Sequence, residues 1–250
     1  MSGEHLFATR VVELGNYEYD EPVVLGGFVG PGLVGLISAS YLIEQLGLHQ
    51  VAHISSQHIP PVAVFVGGKL RHPFRIYRSN NGRLLLIICE VPIDTEGLYE
   101  ISTVLVRWLA EKVHLKELVI MDGIPVQNIP AERKTNFVAS EKRSASLERK
   151  GLSKASSALI GGVGGSLLNE CLSNGVEGLS LITLVSDNLP DPGAVLAMIQ
   201  TLNSVYQLNV GTEVLEKNVS QLNKELNAVA EQYQKMLDQT KDRDEQKMYG

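Results

Sequence analysis

The segment Gly30-Pro31-Gly32-Leu33-Val34-Gly35 reads G-x-G-x-x-G, placed between an apolar strand-like run and an apolar helix-like one. At such a junction, unpaired N–H groups and the helix dipole can hold a pyrophosphate. Two features argue against that use. The following strand should close on an acid for the ribose, yet the chain reads Ile54-Ser55-Ser56-Gln57-His58. Pro31 also removes one N–H donor from the cradle. The expectation is a tight strand-to-helix turn with close packing, and no cofactor.

Carboxylates cluster after the apolar runs: Glu90, Asp94 and Glu96 after one, Asp122 after another, Asp187 and Asp191 after a third. In an open parallel sheet these positions surround the crevice where ligands bind, and such groups could act as acids, bases or ribose acceptors. The same residues also cap helices and build turns, so both readings stay open. His49, His53 and His58 invite a metal. His49 falls at a helix end, however, and strand residues four apart lie about 13 Å from one another, too far for one ion. Cys89 and Cys171 show no paired ligand spacing and are expected to be buried, reduced thiols. Neither a G-x-S-x-G elbow nor a G-x-x-x-x-G-K-[ST] loop occurs. No metal and no catalytic residue is expected, and nothing singles out an enzyme.

The elements that would position these groups alternate. Val23–Phe28 predicts a buried strand feeding a helix from Leu33 to Ile43 that is apolar all round. Val51–Ser55 predicts the next strand, and Val62–Val66 with Phe74–Tyr77 a hairpin or edge pair about Gly67-Gly68. Leu84–Cys89 is a continuous apolar run, as for a strand covered on both faces. Leu98–Val113 has helical spacing, with Ile101, Leu105, Trp108 and Leu109 on one face. Leu118–Asp122 and Leu179–Ser186 predict two more strands. Residues 131–157 are polar and read as loops, an edge strand or a mobile excursion. Order resumes at Leu159–Val163, followed by a helix through Leu168. Asp191-Pro192-Gly193 opens a helix containing Val195, Met198 and Leu202, with Pro192 suited to its first turn. Strands alternating with helices predict an α/β fold: a mostly parallel sheet with helices on both faces, hence three layers.

The last forty residues differ. Leu215, Leu222, Val229 and Met236 recur every seven residues, and Val219, Leu226 and Tyr233 follow the first three at four. This two-position seam predicts a helical stalk over 211–237, coiled with a partner or packed back on its own domain. Residues 238–250, fully polar until Met248-Tyr249-Gly250, predict a flexible tail. The core domain is expected over 1–210.

Composition narrows the function classes. Of 250 residues, 44% are hydrophobic and 20% charged, enough for a sizeable core. A net charge of -6 with scattered Lys and Arg argues against a nucleic-acid binder. No signal-peptide-like or membrane-spanning apolar stretch occurs, so a soluble, cytoplasmic protein is expected.

Four of these features appear in one order: the Gly30–Gly35 turn, the strand closing Cys89-Glu90-Val91-Pro92, the Met121-Asp122-Gly123 strand end, and Gly161-Gly162-Val163-Gly164-Gly165. Together, from about residue 20 to 210, they resemble the archaeal branch of the proteasome assembly chaperone family. The resemblance implies a phosphorylase-like α/β fold without established catalytic chemistry, assembled into homo-oligomers, with a tetramer as the expected size. Met248-Tyr249-Gly250 fits the hydrophobic-tyrosine-any-residue ending that ATP-independent proteasome activators insert into the α-ring of the core particle. Carried over, Met248 is the apolar anchor, Tyr249 the gate-opening aromatic and Gly250 the carboxylate donor. The expected function is thus an oligomeric proteasome-binding protein, activator or assembly chaperone. The alternative is a nucleoside- or nucleotide-type ligand binder or enzyme using the crevice near Gly32, Asp122 and Asp187.

Overall fold

The computed structural model describes residues 8–128, 133–157, 159–185, 190–213 and 215. The chain divides into two units, Met1–Thr212 and Glu213–Gly250. Of the second, only Glu213 and Leu215 are among the described residues, and Leu215 is buried. The stalk positions Val219, Leu222, Leu226, Val229, Tyr233 and Met236 lie outside them, as do residues 238–250, Met248, Tyr249 and Gly250 included.

The first unit is an α/β domain. In chain order its strands are β1 (Arg10–Glu13), β2 (Val23–Phe28), β3 (His49–Ser55), β4 (Val64–Val66), β5 (Lys69–Arg71), β6 (Phe74–Arg78), β7 (Leu84–Cys89), β8 (Glu117–Pro125), β9 (Thr135–Val138) and β10 (Gly178–Val185). The helices are α1 (Val34–Gln45), α2 (Thr95–Trp108), α3 (Glu141–Glu148), α4 (Gly162–Asn174) and α5 (Pro192–Tyr206). Among the described residues, eight strands form one sheet in the order β1-β3-β6-β7-β2-β8-β10-β9. Its centre, β7-β2-β8-β10, is parallel, and antiparallel pairs extend it on both sides. Strands β6 and β7 are joined by only Ser79–Arg83, too short for the crossover that a parallel pair needs. Helices α1 and α5 pack on one face, and α2 and α4 on the other.

Alternation along the strands sorts the core into two layers. Val24, Leu118 and Ile120 join Leu105, Leu109, Leu167 and Cys171 beneath α2 and α4. Every residue of Leu84–Cys89 is buried, as expected for a strand covered above and below. Helix α1 is buried from Val34 to Ala39 because it lies between the sheet and α5, which explains why its sequence lacks an amphipathic stripe. Asp191 caps α5 by accepting from the Ala194 N–H at 3.0 Å, with Pro192 in the first turn.

Two expectations from the sequence are corrected. Phe74–Tyr77 does not pair with Val62–Val66. It belongs to β6 in the main sheet, and Val64–Val66 instead closes a separate hairpin with Lys69–Arg71. The two-residue Gly67-Gly68 link, with φ of 57° and 76°, sets that tight register, and Phe74 is free to cross to β7. The polar segment 131–157 contains the expected edge strand, β9, but also α3, whose N-cap Ser140 accepts from the Arg143 N–H. Among the described residues no helix is long and apolar enough to cross a membrane.

Candidate functional site

The carboxyl ends of β2, β8 and β10 lie against the glycine turn, in close contact at its glycines. A Cβ on Gly27 would stand 2.1 Å from the Gly35 carbonyl oxygen and 2.6 Å from the Ala39 Cβ. One on Gly35 would stand 2.3 Å from the Met121 oxygen. Helix α1 therefore lies directly on the backbones of β2 and β8. Gly32 adopts φ +63°, in the left-handed region, with Val185 side-chain atoms 2.9 Å from where its Cβ would be. Its carbonyl accepts from the Asp191 N–H at 3.1 Å, and Pro31 O sits 2.4 Å from a Cβ on Gly123. The G-x-G-x-x-G segment is thus engaged with its own protein, in agreement with the packing reading. The second glycine-rich turn works alike: a Cβ on Gly164 would meet Ile120 at 2.7 Å, so the start of α4 lies against β8.

Two of the strand-end carboxylates, Glu90 and Asp191, have charged structural partners. Glu90 accepts from the buried Arg75 Nη1 at 2.7 Å, and Arg75 Nε donates to the Tyr77 hydroxyl at 2.9 Å. Arg75 also donates to the His72 carbonyl. Asp191 caps α5 and pairs with Arg133 at 3.1 Å. Asp94 precedes α2, accepting from the Gly97 N–H through its own carbonyl at 2.8 Å, and Glu96 lies exposed in the first turn. Asp187 lies outside the described residues. No sequence pattern signals the Arg75–Glu90 pair, because Arg75 sits inside an apolar strand and its partner is fifteen residues away.

Asp122 is different. Burial pushes its carboxyl up to about 6, partly offset by the Gly123 N–H donating to Oδ1 at 2.8 Å. The folded value lies above the ordinary 3.8, so the unfolded chain releases this proton first as pH rises. Stability therefore carries no penalty from Asp122 below pH 3.8, falls across the window up to about pH 6, and then levels. Asp122→Asn keeps the acceptor for Gly123. It is expected to stabilise the domain at pH 8 by about 1–3 kcal/mol and to change little at pH 3.5, read from paired urea melts. Equal effects at both values would contradict the assignment.

His49, His53 and His58 each have a different partner. His49 approaches the Tyr17 ring, with centroids 6.1 Å apart, and His58 Nε2 lies 3.1 Å from Glu100 Oε2. His53 stacks on His72 with centroids 3.7 Å apart, and burial, then the His72 and Arg10 charges, hold its pKa below the ordinary value. Among the described residues no group of three His, Cys, Asp or Glu is placed to hold a metal ion. Cys89 and Cys171 are free, buried thiols, and burial pushes both up to about 12.

Residues 24–230 match the PAC2 family. A solved structure from Thermoplasma acidophilum, of a protein with unknown function, superposes with a TM-score of 0.82 at 48% identity, covering 89% of this chain and 91% of that one. PbaA of Pyrococcus furiosus, described as an archaeal homolog of proteasome-assembly chaperone, superposes with a TM-score of 0.83 at 25% identity, covering 91% and 99%. PbaB of the same organism, described as an archaeal proteasome activator, shares the fold with a TM-score of 0.76 at 18% identity, covering 90% and 99%.

Proposed function

The chain belongs to the PAC2 family, and from that premise we propose that it is an oligomeric proteasome-binding module whose closing tripeptide docks on the α-ring of the core particle. The observation that carries this reading is the likeness to PbaA over nearly the whole length of both chains. A second feature agrees with it. The glycine turn that a phosphate would need at the strand ends is engaged by Val185 and by the hydrogen bond from Asp191 to Gly32.

In this reading Met248 enters an apolar pocket, Tyr249 packs beside it, and the Gly250 carboxylate pairs with a lysine of the core particle. The seam Leu215, Val219, Leu222, Leu226, Val229, Tyr233 and Met236 forms the stalk that carries the tail. A tripeptide buries little surface and binds weakly alone. Several copies on one oligomer make each later insertion intramolecular, a gain of roughly 10²–10⁴ when the tethers reach. Ten residues, Asp238 to Lys247, span at most about 35 Å when extended. Four copies would offer four tails. No nucleotide is needed, since insertion alone opens the gate.

The test is peptide hydrolysis by the core particle in the presence of the full chain, of Tyr249→Ala and of a chain ending at Lys247. The full chain is expected to stimulate hydrolysis. Tyr249→Ala should bind with most of the stimulation lost, and the truncated chain should do neither. Equal hydrolysis with and without the tripeptide would overturn the activator reading.

A further inference from the structure

The hairpin of β4 and β5 forms a sheet of its own and takes no place in the eight-stranded one. Its apolar cross-strand pair, Phe65 and Leu70, faces solvent at 69% and 74% exposure. A two-stranded hairpin is marginal in water by itself, and an aromatic–aliphatic pair placed outside it realises its burial only in an interface. From Val62 to Arg71 the chain carries Lys69 and Arg71 and no acid, so this arm is apolar and positive.

A complementary surface lies on the same chain. At the start of α2, Tyr99 is 71% exposed, and Asp94 and Glu96 are exposed beside it. Between Glu90 and Ser102 there is no lysine or arginine. The acids suit the positive end of the helix, but that role leaves the Tyr99 ring uncovered. A chain of net charge -6 would repel a nucleic acid from most of its surface, which disfavours that occupant for the basic arm.

We propose that the β4–β5 hairpin docks on the first turns of α2 in a second copy of this chain, with Phe65 and Leu70 against Tyr99 and Lys69 facing Asp94 and Glu96. The two patches differ, so the contact is head-to-tail: each copy offers an arm to one neighbour and a helix to the other, an arrangement that forms a ring when its rotation closes. The inference rests on the self-association in the proposed function and names the surface that provides it.

The experiment mixes Leu70→Cys protein with Tyr99→Cys protein under mild oxidation and reads covalent dimers on a non-reducing gel, alongside sedimentation of the wild type. Both substitutions fall on exposed side chains, and the native thiols Cys89 and Cys171 are buried. The expected result is a dimer band in the mixture that neither variant gives alone, with Phe65→Ser/Leu70→Ser protein sedimenting as a monomer. A dimer in Leu70→Cys protein alone would place two arms together and overturn the assignment. No dimer in the mixture, with an oligomeric wild type, would overturn this interface and leave the proteasome reading standing. A wild type that is monomeric at every concentration would overturn both.

Discussion

Glu90→Ala is expected to destabilise the domain by about 3–5 kcal/mol, among the largest effects of any single substitution in this chain, because it leaves a buried guanidinium without its counter-charge. Arg75 is 1% exposed and Glu90 15%, and they meet at 2.7 Å. The remaining partners of Arg75, the Tyr77 hydroxyl and the His72 carbonyl, are neutral. The pair lies where β6 meets β7, next to Phe74 and Cys89. Replacing both partners, as Arg75→Met/Glu90→Leu, is expected to recover most of the loss, since a buried ion pair is often no better than apolar residues of similar volume. Equilibrium urea unfolding of the single and double variants checks both halves. A double variant as unstable as Glu90→Ala would mean that Arg75 contributes through its hydrogen bonds rather than its charge.

Gly27→Ala and Gly35→Ala are each expected to cost about 3 kcal/mol or more, at the upper end for overpacking, because the obstacles are backbone atoms that cannot rotate away. The new methyl would lie 2.1 Å from the Gly35 oxygen in the first case and 2.3 Å from the Met121 oxygen in the second. Relief requires α1 to lift off β2 and β8, which also loosens its contact with α5. Gly47→Ala is the control: nothing lies within 4 Å of its Cβ, and its φ of +57° limits the effect to about 1–2 kcal/mol. Three similar losses would show that helix-on-sheet contact does not set the cost at Gly27 and Gly35.

These two sites mark what the sequence revealed and what it withheld. Leu84–Cys89 and the glycine turn were readable because each is a local pattern with one physical solution: a strand covered twice, and a junction too tight for side chains. The start of α5 was readable from Asp191-Pro192 for the same reason. The Arg75–Glu90 pair was not, because it is made across a strand register that no local spacing encodes. The hairpin was misplaced for a related cause. Gly67-Gly68 announced a turn, but whether its second arm was Lys69–Arg71 or Phe74–Tyr77 depended on the competing partner β7. The same tertiary choice left Phe65 and Leu70 outside, a feature that apolar sequence alone would assign to a core. Helix α3 was hidden in a polar run because charged residues dominate Glu141–Glu148 and only Ser144 and Leu147 are buried, too few to set up a helical period.

The most direct test is co-sedimentation of the core particle with the full chain and with a chain ending at Lys247, both first shown to have the same oligomeric size. The full chain is expected to travel with the core particle. Removal of three residues is expected to reduce binding by at least roughly 10²-fold, as when every tail of a multivalent ligand is lost at once. Undiminished binding by the truncated oligomer would contradict tail docking, and would place the contact on the α/β body instead.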